Sequence, residues 1–308
     1  MLGPEYQMLE LIHPDDYEGA VKSVLIRHRA NADTPKAVLY VHGFIDYFFQ
    51  KELAEFFASS GFRFFALDLR KYGRSMMPHQ KPNYCRSIDE YFEDIDAALK
   101  LIRAYGHSEI VLMGHSTGGL TMPLYLNRHP SPDIKGLILN SPFLDFNVPA
   151  LLRASIPLVL WIGARFPEAK TDILPQHYPK SLHKDWKGEW DFNTEWKPIK
   201  NFPQYFAWMR AIRLAHLELQ SGLNIEVSVL VTHSDKSYKK MRWSEQVRRS
   251  DAVLDVEHIK KYAPVLGNKV TVAEVPGAVH DMVLSGKEVR DEVYAVMRKW
   301  MLSQEIAE

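Results

Sequence analysis

From Val21 onward, short runs of apolar, β-branched and aromatic residues alternate with longer stretches whose apolar positions recur at spacings of three and four. The short runs suit strands buried on both faces, and the longer stretches suit amphipathic helices lying on a sheet. Strands are predicted at Val21–Arg27, Ala37–His42, Phe62–Leu67, Glu109–Met113, Ile134–Leu139, Ile225–Val231 and Lys269–Val275. Helices are predicted at Gln50–Ser59, Ile88–Ala104, Ser116–Arg128, Val256–Ala263 and Glu288–Leu302. Such alternation predicts an α/β protein with a mostly parallel central sheet flanked by helices.

The alternation fails between about Ser141 and Gly222, where Pro, Trp, Phe and His crowd together and only Pro203–Leu219 reads as a helix. The chain therefore divides into a first core part (1–140), an inserted, mainly helical cap (141–222) and a second core part (223–308). The insert carries five of the seven tryptophans, namely Trp161, Trp186, Trp190, Trp196 and Trp208. That composition suits a cover over an apolar cleft, and equally a second small core, since Trp is usually buried.

Bulk properties narrow the function classes. With 38 Lys and Arg against 38 Asp and Glu, no excess positive field exists to hold nucleic acid. The single cysteine, Cys85, has no partner for an intramolecular disulfide or for a Cys-based zinc site. His177, His183, His216 and His233 form no i, i+4 pair of the kind that binds metal. The most apolar stretch, Ile156–Phe166, falls far short of the ~20 residues that span a bilayer and contains Arg165. Met1–Asp16 has no basic segment followed by an apolar one, so a secretory signal is not expected and the cytoplasm is.

The chemistry concentrates at Gly114-His115-Ser116-Thr117-Gly118, where a predicted strand gives way to a predicted helix. Three fixed positions of this kind match by chance only about 0.1 times in a chain this long. A serine hydroxyl is a weak nucleophile and needs a base, so Ser116 calls for a histidine in reach. His280, on the turn that leaves the last predicted strand, is placed to serve. An acid is expected after the strand beyond the insert, and two candidates follow it, Asp235 and Asp251. The Phe44 N–H, just past His42-Gly43, and the Thr117 N–H are candidate oxyanion donors. His42 reads as structural, and Asp255 and Asp281 as loop or capping carboxylates. No metal or organic cofactor is called for.

Taken together, Val41-His42-Gly43, Asp68-Leu69-Arg70-Lys71-Tyr72-Gly73-Arg74-Ser75, Gly114 to Gly119 and Gly277-Ala278-Val279-His280 resemble the monoacylglycerol lipase and lysophospholipase branch of the α/β-hydrolases, also labelled serine aminopeptidase S33-like. The resemblance spans nearly the whole chain and implies the α/β-hydrolase fold and a serine esterase or lipase. It also implies that the acid is Asp251, 29 residues before His280, with Asp235 as the alternative and 235–250 as an insertion whose Trp243 could line a pocket. Arg70, Tyr72 and Arg74 are expected to stabilise their loop. The expected partner is a small-molecule ester with an apolar acyl or aromatic group, with transient membrane-surface contact through the cap. Two other classes compete: a peptidase with an acidic amine pocket from Glu189, Asp191 or Glu195, and a catalytically silent binding protein. Epoxide hydrolases and haloalkane dehalogenases resemble the chain only with an aspartate at 116.

Overall fold

The computed structural model describes residues 2–29, 34–147, 154–240 and 242–307. Eight strands form the main sheet: β1 (Tyr6–Asp16), β2 (Gly19–His28), β3 (Lys36–Val41), β4 (Arg63–Asp68), β5 (Glu109–His115), β6 (Ile134–Asn140), β9 (Ser228–Ser234) and β10 (Val270–Val275). Their spatial order is β1-β2-β4-β3-β5-β6-β9-β10, with β1–β2 and β2–β4 antiparallel and every other pairing parallel. From β3 the chain moves to β4 on one side, and from β5 it moves to β6 on the other. The order thus reverses beside β5, and ligands of open parallel sheets bind beyond the carboxyl ends of the strands at such a reversal.

Helices α1 (Lys51–Ser59), α2 (Glu90–Ala104), α3 (Gly118–Arg128), α7 (Val256–Tyr262) and α8 (Lys287–Ser303) flank this sheet. Helix α2 shows why: Tyr91, Phe92, Ile95, Ala98, Leu99 and Ile102 recur at helical spacing and are buried. Its first turn holds Glu90 and Glu93 and its last Arg103, in keeping with the helix dipole. In β3, five of six residues are buried, so the strand offers apolar side chains to both layers.

Between β6 and β9 lie α4 (Ile156–Arg165), the short strands β7 (Lys170–Thr171) and β8 (Gln204–Tyr205), which pair antiparallel, and helices α5 (His177–Leu182) and α6 (Phe206–Gln220). They fall inside the 141–222 segment, of which 148–153 lie outside the described residues. Gly163 lets α4 and α6 touch, because a Cβ there would meet the Phe206 carbonyl oxygen at 2.4 Å.

Three features depart from the sequence pattern. Strand β1 was not expected: Met8, Leu9, Leu11 and Ile12 put apolar residues on both faces, which hides the period of two, and Met8 and Ile12 are exposed on this edge strand. The strand expected at Ile225–Val231 runs instead over Ser228–Ser234, with Ile225 making only an isolated bridge to Gly267. Helix α3 begins at Gly118, not Ser116, because Ser116 itself adopts a left-handed conformation that cannot continue a helix.

Candidate active site

Ser116 follows the last residue of β5 at φ 53°. Such a backbone costs about 1–3 kcal/mol in a residue with a side chain and persists only where its surroundings enforce it. Here the Ser116 N–H donates to the Asn140 carbonyl (3.1 Å), while the Ser116 carbonyl accepts from Phe143 (2.9 Å) and Leu120 (3.2 Å). The turn leaves no room for side chains. A Cβ at Gly114 would lie 2.3 Å from the Gly118 oxygen, and one at Gly118 would lie 2.4 Å from the Val41 oxygen.

His280 Nε2 lies 3.0 Å from Ser116 Oγ, and His280 Nδ1 lies 2.9 Å from Asp251 Oδ2. A carboxylate can only accept, so Nδ1 carries the proton and Nε2 turns its lone pair to the serine hydroxyl. All three residues are buried. The second Asp251 oxygen, Oδ1, accepts from the Val253 (2.9 Å) and Leu254 (2.7 Å) N–H groups, which fixes the carboxylate.

Asp235 goes elsewhere. Its Oδ1 accepts from the Gly277 N–H at 2.9 Å and its Oδ2 pairs with Lys236 at 3.4 Å, so it braces the turn leaving β10 and does not reach His280. The intervening segment returns to its starting point: the Asp251 N–H donates to the Lys236 carbonyl, Tyr238 N–H donates to the Asp251 carbonyl, and Ser237 bridges Asp251. The chain thus leaves after Tyr238 and returns at Asp251, which stands just beyond the end of β9. Trp243, between them, lines a groove of about 780 Å³ with His177, Lys180, Trp186 and Lys187, whose lining includes none of Ser116, His280 and Asp251.

The loop after β3 comes close to the serine, since a Cβ at Gly43 would lie 3.0 Å from Ser116 Cβ. Among the described residues, neither the Phe44 N–H nor the Thr117 N–H meets an acceptor. The Phe44 ring stacks on Trp208 of α6 with centroids 3.9 Å apart. His42 is structural: its Nδ1 donates to the Gly43 carbonyl (2.8 Å) and its Nε2 accepts from the Leu69 N–H (3.1 Å). Burial is the main cause holding His42 below the ordinary histidine range, so it stays neutral.

Several residues around the site carried no clear signal in the sequence. Asp281, expected as a surface-loop or capping carboxylate, is buried. It accepts from Gln50 Nε2 (2.9 Å) and Asn140 Nδ2 (2.7 Å), while its N–H donates to the Tyr178 hydroxyl (2.9 Å). These bonds anchor the residue after His280 to α5, to the end of β6 and to the residue preceding α1. The Tyr178 ring also packs on the His280 ring, with centroids 5.6 Å apart. Asp255, by contrast, caps α7 by accepting from the Glu257 N–H. Asp46, His115 and Asp281 place potential ligand atoms within 4.8 Å of one another. All three have protein partners: Lys197 Nζ lies 2.6 Å from Asp46 Oδ1, the His115 Nδ1 lies 3.0 Å from the Asn140 carbonyl, and Asp281 holds the bonds just given.

The signature loop after β4 is built from ion pairs. Arg70 donates through Nε to Asp94 (2.9 Å) and through Nη2 to Glu93 (2.8 Å), Arg74 Nη1 reaches Asp68 (2.7 Å) and the Phe48 carbonyl (3.0 Å), and the Tyr72 hydroxyl meets that of Tyr91 (3.2 Å). These contacts join the loop to β4, α2 and the loop before α1, and none is to Ser116, His280 or Asp251.

The reversed strand order, the left-handed serine after β5 and the histidine after β10 define the α/β-hydrolase fold and place the protein among hydrolases. Residues 32–241, over half of the chain, match the serine aminopeptidase S33 family, and the chain belongs to that family. Phospholipase YtpA of Bacillus subtilis (strain 168) is 33% identical over 119 residues, covering 38% of this chain and 44% of that one. Epoxide hydrolase 4 of Mus musculus is 32% identical over 139 residues, covering 42% and 37%. The matches thus span less than half the length of these curated relatives. Among solved structures, a soluble variant of monoglyceride lipase from Saccharomyces cerevisiae superposes with a TM-score of 0.70 at 17% identity, covering 96% of this chain and 94% of that one. The monoacylglycerol lipase of Paleococcus ferrophilus gives 0.63 at 19% identity, covering 97% and 99%. At these identities the superpositions speak for the fold. Among the described residues, no helix is long and apolar enough to cross a membrane.

Proposed function

We propose that the protein is a serine hydrolase that cleaves carboxylic esters through an acyl-enzyme intermediate. The observation that carries this reading is the hydrogen-bonded chain from Ser116 Oγ through His280 to Asp251, with contacts of 3.0 and 2.9 Å. His280 Nε2 takes the hydroxyl proton as Ser116 attacks the acyl carbon, and Asp251 holds the productive tautomer and stabilises the imidazolium. The Phe44 and Thr117 N–H groups, aimed at the oxyanion, stabilise the tetrahedral intermediate, and a donor of this kind is worth about 10²–10³ in rate. His280 then protonates the leaving alcohol, and water activated by the same imidazole releases the acid.

The 141–222 segment acts as the cap. Phe44 on Trp208 and Tyr178 on His280 give the site aromatic walls, which favours an apolar acyl chain or an aromatic acid. Relatives named as a phospholipase and as monoglyceride lipases agree with such a substrate. Leu158, Trp161, Phe166 and Ile173 stand exposed on and just after α4, a surface suited to brief contact with lipid aggregates. The lone, buried Cys85 fits a reducing compartment, and we assign the protein to the cytoplasm.

The family description brings a peptidase reading. Against it, Glu189 is paired with Arg290 (3.0 Å) and Asp191 with Lys184 (2.7 Å), while Glu195 is exposed, so the expected amine-binding acids are engaged or turned to solvent. An epoxide hydrolase reading meets a hydroxyl at position 116 in place of the expected carboxylate. The deciding experiment assays p-nitrophenyl esters from acetyl to palmitoyl beside aminoacyl p-nitroanilides and an aryl epoxide, with Ser116→Ala as blank. Ester turnover that disappears in the variant upholds the proposal. Turnover of the anilides alone replaces it with the peptidase, and no turnover together with no fluorophosphonate labelling of Ser116 replaces it with a silent binding protein.

A further inference from the structure

Lys197, in the cap, is almost wholly buried, and its ammonium lies 2.6 Å from Asp46 Oδ1. Asp46 is buried too, two residues after Phe44 on the loop that follows β3, and Ile45 between them sits in the left-handed region at φ 51°. Among the described residues, the other Asp46 oxygen, Oδ2, has no hydrogen-bond partner. The nearby histidines supply no full charge: His42 Nδ1 donates to the Gly43 carbonyl with Nε2 accepting from Leu69, and His115 is held neutral by burial. Asp281, close by, is a second carboxylate.

We propose that Lys197 is a positioning residue, whose buried ammonium fastens the cap to the loop bearing the Phe44 N–H and so holds that donor on the oxyanion of the reaction proposed above. The inference rests on the esterase reading for its kinetic part only. Breaking a buried ion pair from one side leaves an uncompensated charge, which is far worse than never having had the pair. Burial by itself would push the Asp46 carboxyl up. Burial is the largest single influence, yet the neighbours acting together, Lys197 first among them, keep it below the ordinary carboxylate range. The carboxylate therefore stays charged and stays dependent on Lys197.

The stretch of cap that leads to Lys197 is stitched down as well. The Asn193 N–H donates to the Tyr47 hydroxyl (2.6 Å), Trp190 Nε1 donates to the Leu284 carbonyl (2.9 Å), and Arg74 lies over the rings of Tyr47 (5.1 Å) and Trp196 (5.3 Å). Residues 190–197 thus form a fixed wall of the site and not a swinging lid.

The test compares wild type, Lys197→Met, Lys197→Arg, the double variant Asp46→Asn with Lys197→Met, and Lys170→Met, an exposed cap lysine, as control. On p-nitrophenyl butyrate, Lys197→Met is expected to lower kcat at least tenfold with KM changed less than threefold, and Lys197→Arg to restore most of it. The double variant is expected to exceed Lys197→Met at least fivefold, because the neutral amide no longer needs a cation. Hydrogen exchange is expected to quicken in peptides 42–49 and 190–199 of Lys197→Met and to stay unchanged in Lys170→Met. A kcat within twofold of wild type in Lys197→Met, or a loss that the double variant does not relieve, overturns the proposal. Should Lys197→Met fail to fold, the double variant and Lys197→Arg carry the same comparison against wild type: a double variant as active as wild type overturns it, and one reduced at least twofold while Lys197→Arg is not upholds it. If the wild type hydrolyses no ester, the esterase reading fails by itself, and the exchange rates alone decide whether the latch exists.

Discussion

The strained backbone at Ser116 and the direction of one imidazole proton account for most of what the site can do. Replacing Ser116 with Ala is expected to abolish fluorophosphonate labelling and to lower ester turnover by about 10⁴-fold or more, as measured in a stopped-time assay. Asp251→Asn keeps the shape but offers His280 a donor, so the wrong tautomer is favoured and kcat should fall about 10³–10⁴-fold. Asp235→Asn, which weakens only the brace on Gly277, should leave kcat within about threefold, and a comparable loss in both variants would contradict the assignment of the acid. Away from the site, His216 on α6 is buried with its Nε2 donating to the Phe143 carbonyl (2.8 Å) and its pKa lowered to about 3, chiefly by burial. Unfolded, it titrates near 6.5, so between these values the unfolded chain binds the extra proton. Its contribution to stability is therefore complete above about pH 6.5 and is lost as pH falls toward 3. At pH 5 the loss is on the order of 2 kcal/mol. Urea unfolding at pH 7 and pH 5 should show that His216→Gln narrows the difference between the two.

At the scale of elements, the elbow between β5 and α3 depends on backbone contacts that admit no side chain. Gly118→Ala would press a methyl against the Val41 and His42 oxygens at 2.4 and 2.6 Å, and the strand or the turn must yield. The expected outcome is folded protein with labelling of Ser116 slowed at least tenfold. The cap offers a different test, because its apolar surface on α4 faces solvent where Trp208 of α6 faces the core. Trp161 is 58% exposed, whereas Trp208 is 2% exposed and packs on Phe44. The double variant Leu158→Ser and Trp161→Ser should leave hydrolysis of a dissolved short-chain ester within twofold while reducing turnover of micellar long-chain esters several-fold. Equal effects on both would remove the case for surface contact. The composition of the insert advertised its aromatic character, yet it could not divide the tryptophans between core and surface, since helical spacing across so irregular a stretch leaves each face ambiguous.

For the molecule as a whole, stability and reactivity reside in different places. The ion pairs of the 68–75 loop tie β4 to α2, and Asp94 at their centre is fully buried, bonded to both the Arg70 backbone N–H (2.8 Å) and its guanidinium. Arg70→Met strands that carboxylate and should cost about 3–5 kcal/mol in urea unfolding, without changing the labelling rate per folded molecule. A large loss of labelling at full folding would instead give the loop a part in the chemistry. The antiparallel β1–β2 pair, which no clear alternation announced, extends the sheet away from the site and leaves its outer face to solvent. The parallel strands, by contrast, were easy to place from their apolar runs, because burial on both faces leaves little room for polar residues.

The sequence by itself determined the parallel strands of the sheet, and the serine and histidine that the sheet edge brings together. Those features follow from local hydrophobic patterning and from glycines that only a tight turn requires. It left the acid open between Asp235 and Asp251 as far as the residues alone could say, because both follow the same strand. Only the tertiary structure sets one of them against His280: the chain leaves after Tyr238 and returns at Asp251, which pairs with Ser237 and reaches the imidazole. It alone also buried Asp281 among Gln50, Asn140 and Tyr178, and set Lys197 against Asp46. These are contacts between residues from 103 to 231 positions apart where Asp281 is concerned, or 151 for the ion pair. A coulombic or hydrogen-bonded partner at such a separation leaves no periodic trace in the chain, because it depends on where two loops meet and not on the spacing within either.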